Sequence, residues 1–407
     1  MFTIFLAMVM IGSPSDFART VPSPVRVLAF IILLFLSLNS CGNHRTENDS
    51  SIPEKHFKPL EATKEKEDLS DCITDIELVQ INSDGVVFSG MTKLVVGDVR
   101  FYLVSGGVVY SASKDGKDVQ RIGHLGRGAG EYLSIKDITL NPSQKELWCL
   151  DVNNAVLRYD CSNGGFLGKV DPGPTIGYVR AIFPVSEDSF ALFSPNPLDD
   201  GASHESFHCL RYYNLDSKEL GKKMKWERFN ADLGFSIPVT RNGLQFILAP
   251  TTFSPAIVFQ NGNEMEHVIF DFGRKGVPDN YFSKDVHEAW RNVSALFDAD
   301  CYKCVSAIYF LGDKVYFQAF GKESSVWNFL MDIEGAKGIR WPSIGGAAPP
   351  VSALSSDGGY LFFPYCDYGH ASLEEEKDPL KRYVLQKFGR PCDKDASYIV
   401  KVKMHVE

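Results

Sequence analysis

Short aromatic and β-branched runs, turn chemistry between them, and a four-strand cadence that recurs six times predict an all-β fold. That fold is a six-bladed β-propeller of four-stranded antiparallel blades. The runs include 93–96, 99–104, 108–111, 146–150, 156–159, 190–193, 244–248, 314–320, 359–363 and 399–403. The cadence is clearest over 138–170, where ITL, LWCLDV, VLRYDC and FLGKV are separated by NPSQKE, NNA and SNGG. It recurs over 94–122, then more loosely from Ala181, Leu244, Ala307 and Ala353; the last unit draws on 354–366 and on YVLQKFG at 383–389. Each meander is too small to bury both its faces, so radial stacking supplies the missing neighbours and leaves only short edges. Spare strands at 73–80 and 398–406 would close the ring by pairing in one blade.

With 407 residues, 44% apolar, the chain can bury a large core, which excludes wholesale disorder. Its 51 acidic and 42 basic side chains leave a net charge of −9, which argues against nucleic acid held on a basic stripe. Residues 27–38 (VLAFIILLFLSL) form an unbroken apolar run. Twelve residues fall short of the ~20 that a spanning helix needs, so the run reads as the core of a signal peptide and the chain as exported. Leu38-Asn39-Ser40-Cys41 follows at once and has the form of a bacterial lipobox, which makes Cys41 the expected lipidation site. A second apolar stretch at 2–11 is most simply explained by a true start near Val21 or Val25.

The domain organisation expected is therefore a signal peptide over 1–40, a lipidated cysteine and flexible tether over 41–71, and the propeller over 72–407. The address is the cell envelope, in the outer membrane, facing either the periplasm or the exterior. After Cys41 only Glu47 and Asp49 are acidic, so no tight acidic cluster points to surface export.

Between the fourth and fifth blades the spacing lengthens, and 278–299 carries Phe282, Val286, Ala289, Trp290, Val293 and Phe297 at three- and four-residue intervals. This predicts an amphipathic helical insertion, with Ser283 as its N-cap, packed on the host fold. Eight cysteines besides Cys41 are dispersed. They permit disulfides without requiring a disulfide framework. Cys301-Tyr302-Lys303-Cys304, the only CxxC, reads as a structural disulfide or inert thiols, because no second CxxC or thioredoxin-like context accompanies it.

Over 122–168 the chain resembles the six-bladed β-propeller lipoproteins of Bacteroides-type bacteria, a family of NHL-like propellers. The element that carries the resemblance is Gly126-Arg127-Gly128-Ala129-Gly130-Glu131-Tyr132, similar to the family's G-R-G-P-G-E-Y signature with Ala129 in the place of the proline. The resemblance implies a fold and a location but transfers no catalytic residue. Read physically, its glycines allow close backbone approach, and Arg127 and Glu131 stand four apart and could pair across the turn. A related stretch, 273–281, contains Arg274 and Tyr281. Both stretches link the outer strand of one blade to the inner strand of the next, on the face around the channel mouth. Arg127, Glu131, Tyr132, Arg274 and Tyr281 are therefore the candidate binding residues, against the alternative that these loops only turn the chain and tie blade to blade.

One-segment catalytic signatures are absent: there is no GxSxG, HExxH, Walker A or EF-hand loop. His204 and His208 stand four apart in a polar stretch and read as a solvated loop, as do the acidic runs Asp199-Asp200 and Glu374-Glu375-Glu376. No cofactor is indicated. The sequence favours a membrane-tethered binding or scaffold propeller that captures a peptide, glycan or protein at the channel mouth. The alternative is a metal-dependent hydrolase resembling lactonase or lyase propellers, with ligands contributed one per blade. Among the inner-strand starts only Asp137 offers such a group.

Overall fold

Six four-strand antiparallel meanders follow one another along the chain, each running from an inner to an outer strand. They are described over residues 52–81, 88, 90–173, 179–194, 208–216, 218–225, 239–242, 245–248, 256–281, 291–322, 325–343, 355–365, 376–389 and 397–406 of a computed structural model. Blade I comprises Met91–Val96, Arg100–Ser105, Val108–Ser113 and Gln120–Ile122; blade II comprises Ile135–Leu140, Glu146–Asp151, Val156–Asp160 and Phe166–Val170. Blade III runs from Ala181–Ser186 to Glu219–Lys225, blade IV from Val239–Asn242 to Asn263–Phe270, and blade V from Cys304–Leu311 to Gly338–Ser343. Blade VI takes Ser355–Ser356, Leu361–Tyr365 and Ser397–Met404 from the end of the chain and Ile73–Ile81 from its beginning. The last two pair antiparallel from Ser397↔Ile81 to Met404↔Ile73, which is the ring closure the two spare strands predict.

The strands are aromatic and β-branched on both faces because both faces are covered. Hydrophobic clusters lie between successive blades: Tyr102 and Val109 of blade I meet Ile138 and Leu147 of blade II, and Trp148 and Val156 of blade II meet Phe190 and Leu192 of blade III. The same holds for Phe183 against Phe246, Val268 against Phe317, Tyr316 against Phe363, and Ile399 against Phe101 around the rest of the ring. Near the hub, Asp137 is fully buried; its Oδ2 accepts the Ile182 N–H of blade III at 2.9 Å and its Oδ1 lies 3.5 Å from Lys93 Nζ of blade I. One carboxylate thus ties three consecutive blades.

Within the tether expected over 41–71, residues 52–71 are instead packed on the blades. Glu54–Phe57 adds a fifth, parallel strand to the outer edge of blade IV, and Thr63–Glu65 does the same on blade V, with helix α1 (Pro59–Ala62) between them. Phe57 is fully buried and stacks on Phe270 at 5.6 Å; Leu69 is fully buried in the blade V–VI cluster. Residues 52–71 therefore belong with the propeller, which the sequence placed from residue 72 onward. The polar composition of 52–71 conceals this because an edge strand buries only one residue and shows no alternation. Residues 1–51, including the apolar runs, Cys41 and the first part of the tether, lie outside the described residues.

A second departure concerns the strand expected at 383–389. Pro379–Phe388 is an α-helix, α3, inserted between the second and third strands of blade VI. Asp378 caps it by accepting the Leu380 and Lys381 N–H groups at 3.0 and 3.1 Å, Pro379 opens its first turn, and Gly389 follows its end. Those start and stop signals outrank the short apolar run that read as a strand. Of the insertion between blades IV and V, the helix α2 (Val293–Asp298) and the 3-10 turn Asp279–Tyr281 are described, while 282–290, with Ser283, is not. Cys72, Cys149, Cys161, Cys209, Cys301 and Cys304 form no disulfide with one another, so the CxxC takes the unbridged of its two expected forms; Cys366 and Cys392 fall outside the described residues.

Phe57→Ala should lower unfolding stability in urea by about 3–5 kcal/mol, whereas a change near zero would return 52–71 to the role of a free tether. Asp137→Ala should cost about 3–5 kcal/mol by leaving the Ile182 N–H and the Lys93 ammonium without their buried partner. Unchanged thermal and urea transitions would remove the hub carboxylate from the account of ring stability.

Candidate functional site

The link from blade I to blade II, residues 123–134, contains the glycine-rich signature. It opens with His124–Leu125 and returns as Glu131–Tyr132, two short strands paired in parallel. Gly126 N–H donates to Tyr132 O at 2.9 Å and closes the loop at its neck. The Glu131 carboxylate does not pair with Arg127 as the four-residue spacing suggests. Its Oε2 folds back into the loop and accepts the Gly128 N–H at 2.7 Å. A Cβ on Gly126 would stand 2.0 Å from that oxygen, so a glycine is required there for the carboxylate to enter. Gly130 has φ +72° and lies against Phe166, where a side chain would meet the ring at 3.0 Å.

Two tyrosine hydroxyls fasten this link to the blades on either side. Tyr132, buried at 1% exposure, accepts the Val109 N–H at 3.1 Å and donates to Ile122 O at 2.9 Å, both in blade I. Tyr159 of blade II donates to Gly130 O at 3.1 Å. Burial pushes the Tyr132 phenol above its ordinary pKa, so it stays a neutral donor. Tyr132 is therefore a blade-to-blade fastener and presents no surface to a ligand, contrary to its expected place among the binding residues.

On the blade II side the buried Asp151 organises the end of the link. Its Oδ1 accepts the N–H groups of Leu133, Ser134 and Val152 at 3.2, 2.9 and 2.8 Å, and Val152 N–H also donates to Ser134 O at 2.9 Å. The turn after Glu146–Asp151 and the entry to Ile135–Leu140 are thus held together, with Leu133 and Val152 turned outward at 43% and 44% exposure. Leu125, paired with Tyr132 in the short sheet, is 51% exposed. Arg127 at the loop tip is exposed and makes no hydrogen bond or ion pair among the described residues; Arg121 and His124, earlier in the chain, are exposed too.

The other expected residues lie apart. Arg274 is exposed in the 3-10 turn Gly273–Lys275, and Tyr281 is half-buried, both in the link from blade IV to blade V. Three blades separate this link from 123–134 by either route round the ring, so the five residues do not form one site. Of the five, Arg127 and Arg274 are exposed with no hydrogen bond or ion pair among the described residues, and Arg127 stands two residues from the exposed Leu125. Leu125 and Leu133 could have been noticed as solitary leucines flanking a glycine-rich turn; Val152 joins them only through Asp151.

Asp137, the acidic exception among the inner-strand starts, is engaged with Lys93 and Ile182. Among the described residues no group of three or more histidine, cysteine, aspartate or glutamate side chains is placed to hold a metal ion. His208 begins the strand His208–Asn214 and is half-buried rather than in a solvated loop; its expected companion His204 lies outside the described residues, as do Asp199, Asp200, Glu374 and Glu375.

Comparison with known proteins agrees with this architecture. A family model described as 6-bladed beta-propeller matches residues 62–330. Among solved structures, a candidate exported protein of Bacteroides fragilis aligns with a TM-score of 0.67 at 12% identity, covering 86% of this chain and 99% of that one. U3-55K and the WD40 repeats of RRP9 align at TM-scores of 0.42 and 0.41, each at 10% identity, covering 80% and 81% of this chain and 98% and 100% of theirs. No curated protein sequence matches. The family match spans well over half of the chain and agrees with the six blades, and the chain therefore belongs to the family of 6-bladed beta-propellers.

Proposed function

We propose that this chain is an envelope-located binding propeller, tethered through Cys41, that captures a peptide, glycan or protein partner on the link between blades I and II. The observation that carries the reading is the pairing of an uncommitted arginine, Arg127, with outward-facing Leu125, Leu133 and Val152 on backbone pinned by Asp151, Tyr132 and Tyr159. Apolar side chains held rigidly in water, beside cations on an otherwise acidic chain, are the composition of a recognition surface. Pre-organisation adds to this, because a partner need not order the loop on binding. The envelope location draws support from the exported character assigned to the Bacteroides fragilis protein of like fold.

A photo-crosslinking residue at Leu125 should give a discrete adduct in intact cells, and one at the exposed Leu220 of blade III should not. Arg127→Glu should reduce the Leu125 adduct at least about tenfold, equivalent to ~1.4 kcal/mol of binding. Identical adducts from both positions, or indifference to Arg127→Glu, would remove the link as the capture surface. Tyr132→Phe should leave capture intact while costing about 1–3 kcal/mol of stability, because the Val109 N–H and Ile122 O lose their buried partner. For the tether, Cys41→Ser should move the protein from the membrane to the soluble fraction and abolish palmitate labelling; retention on the membrane would refute lipidation at Cys41.

A further inference from the structure

Blades VI and I meet at a cleft of about 450 Å³ that the proposed capture surface does not involve. Its position follows from topology. Lys114 and Asp115 sit in the turn between the third and fourth strands of blade I, and Asp357 in the turn between the first and second strands of blade VI. Those turns lie at the end of the strands opposite the 123–134 link. The cleft floor is apolar, made by Val79, Phe101 and Phe362, each nearly fully buried.

The charged groups around this floor differ in how far they are committed. Lys401 Nζ lies 3.3 Å from Glu77 Oε2 and 4.5 Å from the centre of the Tyr360 ring. Asp115 Oδ1 accepts from Ser113 Oγ at 2.5 Å and from the Lys117 N–H at 3.2 Å, within its own turn. Asp357 Oδ1 accepts the Gly359 and Tyr360 N–H groups at 3.1 and 2.9 Å, which leaves Oδ2 without a hydrogen bond among the described residues. Lys114 differs from all of them. It is half-buried, its ammonium is 4.7 Å from the centre of the Phe101 ring, and it makes no hydrogen bond or ion pair among the described residues. Burial lowers its pKa, and the attraction of Asp357 works against that.

A half-buried ammonium whose close partner among the described residues is a ring face is stabilised further by an anionic oxygen brought from outside. Two of the three carboxylates in the lining are already ion-paired, Glu77 with Lys401 and Asp115 with Lys117 at 3.3 Å, which leaves Lys114 and Asp357 as the opposed charges of the cleft. A simple anion would therefore face Asp357, and a simple cation would face Lys114. A molecule with both charges on neighbouring atoms meets neither penalty, and the apolar floor asks for a hydrocarbon group beside them.

We propose that this cleft binds a zwitterionic small molecule of the amino-acid class, with its carboxylate on Lys114, its ammonium against Asp357 and an apolar side chain over Phe101 and Phe362. The volume lies within the range of small-molecule sites. The site is carried on the two blades whose pairing closes the ring, so an occupant bridges that seam.

Isothermal titration of the full chain with three probes tests this: L-phenylalanine, 3-phenylpropanoate, which lacks the amine, and 2-phenylethylamine, which lacks the carboxylate. Phenylalanine should bind at least tenfold more tightly than either single-charge probe. Lys114→Met, which keeps the hydrocarbon stem over Phe101, should weaken phenylalanine at least tenfold and leave phenylethylamine no weaker. Absence of phenylalanine binding at millimolar concentration, equal affinity for the propanoate, or an unaltered affinity in Lys114→Met would each overturn the proposal. If the variant fails to fold, the ranking of the three probes on the unaltered protein decides alone. Because the cleft and the 123–134 link lie on opposite faces, neither result bears on the capture surface.

Discussion

Pairing of Ser397–Met404 with Ile73–Ile81 is the contact on which the remaining architecture depends. No blade can bury both of its faces alone, so each of the clusters between blades exists only while the ring is closed. Those eight pairings join segments more than 300 residues apart, and the chain entropy lost in bringing them together is offset by side chains packed across every seam, not by the closing strands alone. The outer additions on blades IV and V extend the same logic. Glu54–Phe57, Thr63–Glu65 and Ile73–Ile81 cover the outer edges of three consecutive blades in chain order, so the N-terminal segment runs round the rim as a belt before it closes the circle.

Buried carboxylates have a structural part in this arrangement that their chemistry alone would not disclose. Asp137 and Asp151 both accept backbone N–H groups, and Asp137 also meets an ammonium across a seam. In a propeller hub, acidic residues on inner strands invite a metal-binding interpretation. Here the distances assign them to joining blades and shaping turns. The link between blades I and II combines that structural task with exposure: Tyr132, Tyr159 and Asp151 hold its backbone, and the side chains the backbone does not need, Arg127, Leu125 and Leu133, face solvent.

Strand positions were legible because alternation, turn residues and repeated spacing are local properties; Lys314–Phe320 has the ends expected of it, and the closing pair was foreseen from two strands left over at the termini. The belt was not legible, since a strand that buries Phe57 alone has no period to detect. Helix α3 could have been recognised from Asp378, Pro379 and Gly389, whose capping roles were outweighed by a short apolar run. For the candidate site, the motif directed attention to the correct loop and to Arg127, but it grouped exposed and buried residues together. Tyr132 and Arg127 are five positions apart and adjacent in one turn-rich stretch, yet one is enclosed between blades and the other stands in water.

What the sequence by itself determined was the number of blades and the need for closure, because each follows from short-range hydrophobic pattern and from counting. Only the tertiary structure decided which charges are free. Whether Glu131 meets Arg127 or the Gly128 N–H, and whether Lys114 finds an acceptor, depends on the approach of atoms from turns and neighbouring blades, a distance that residue spacing along the chain does not encode.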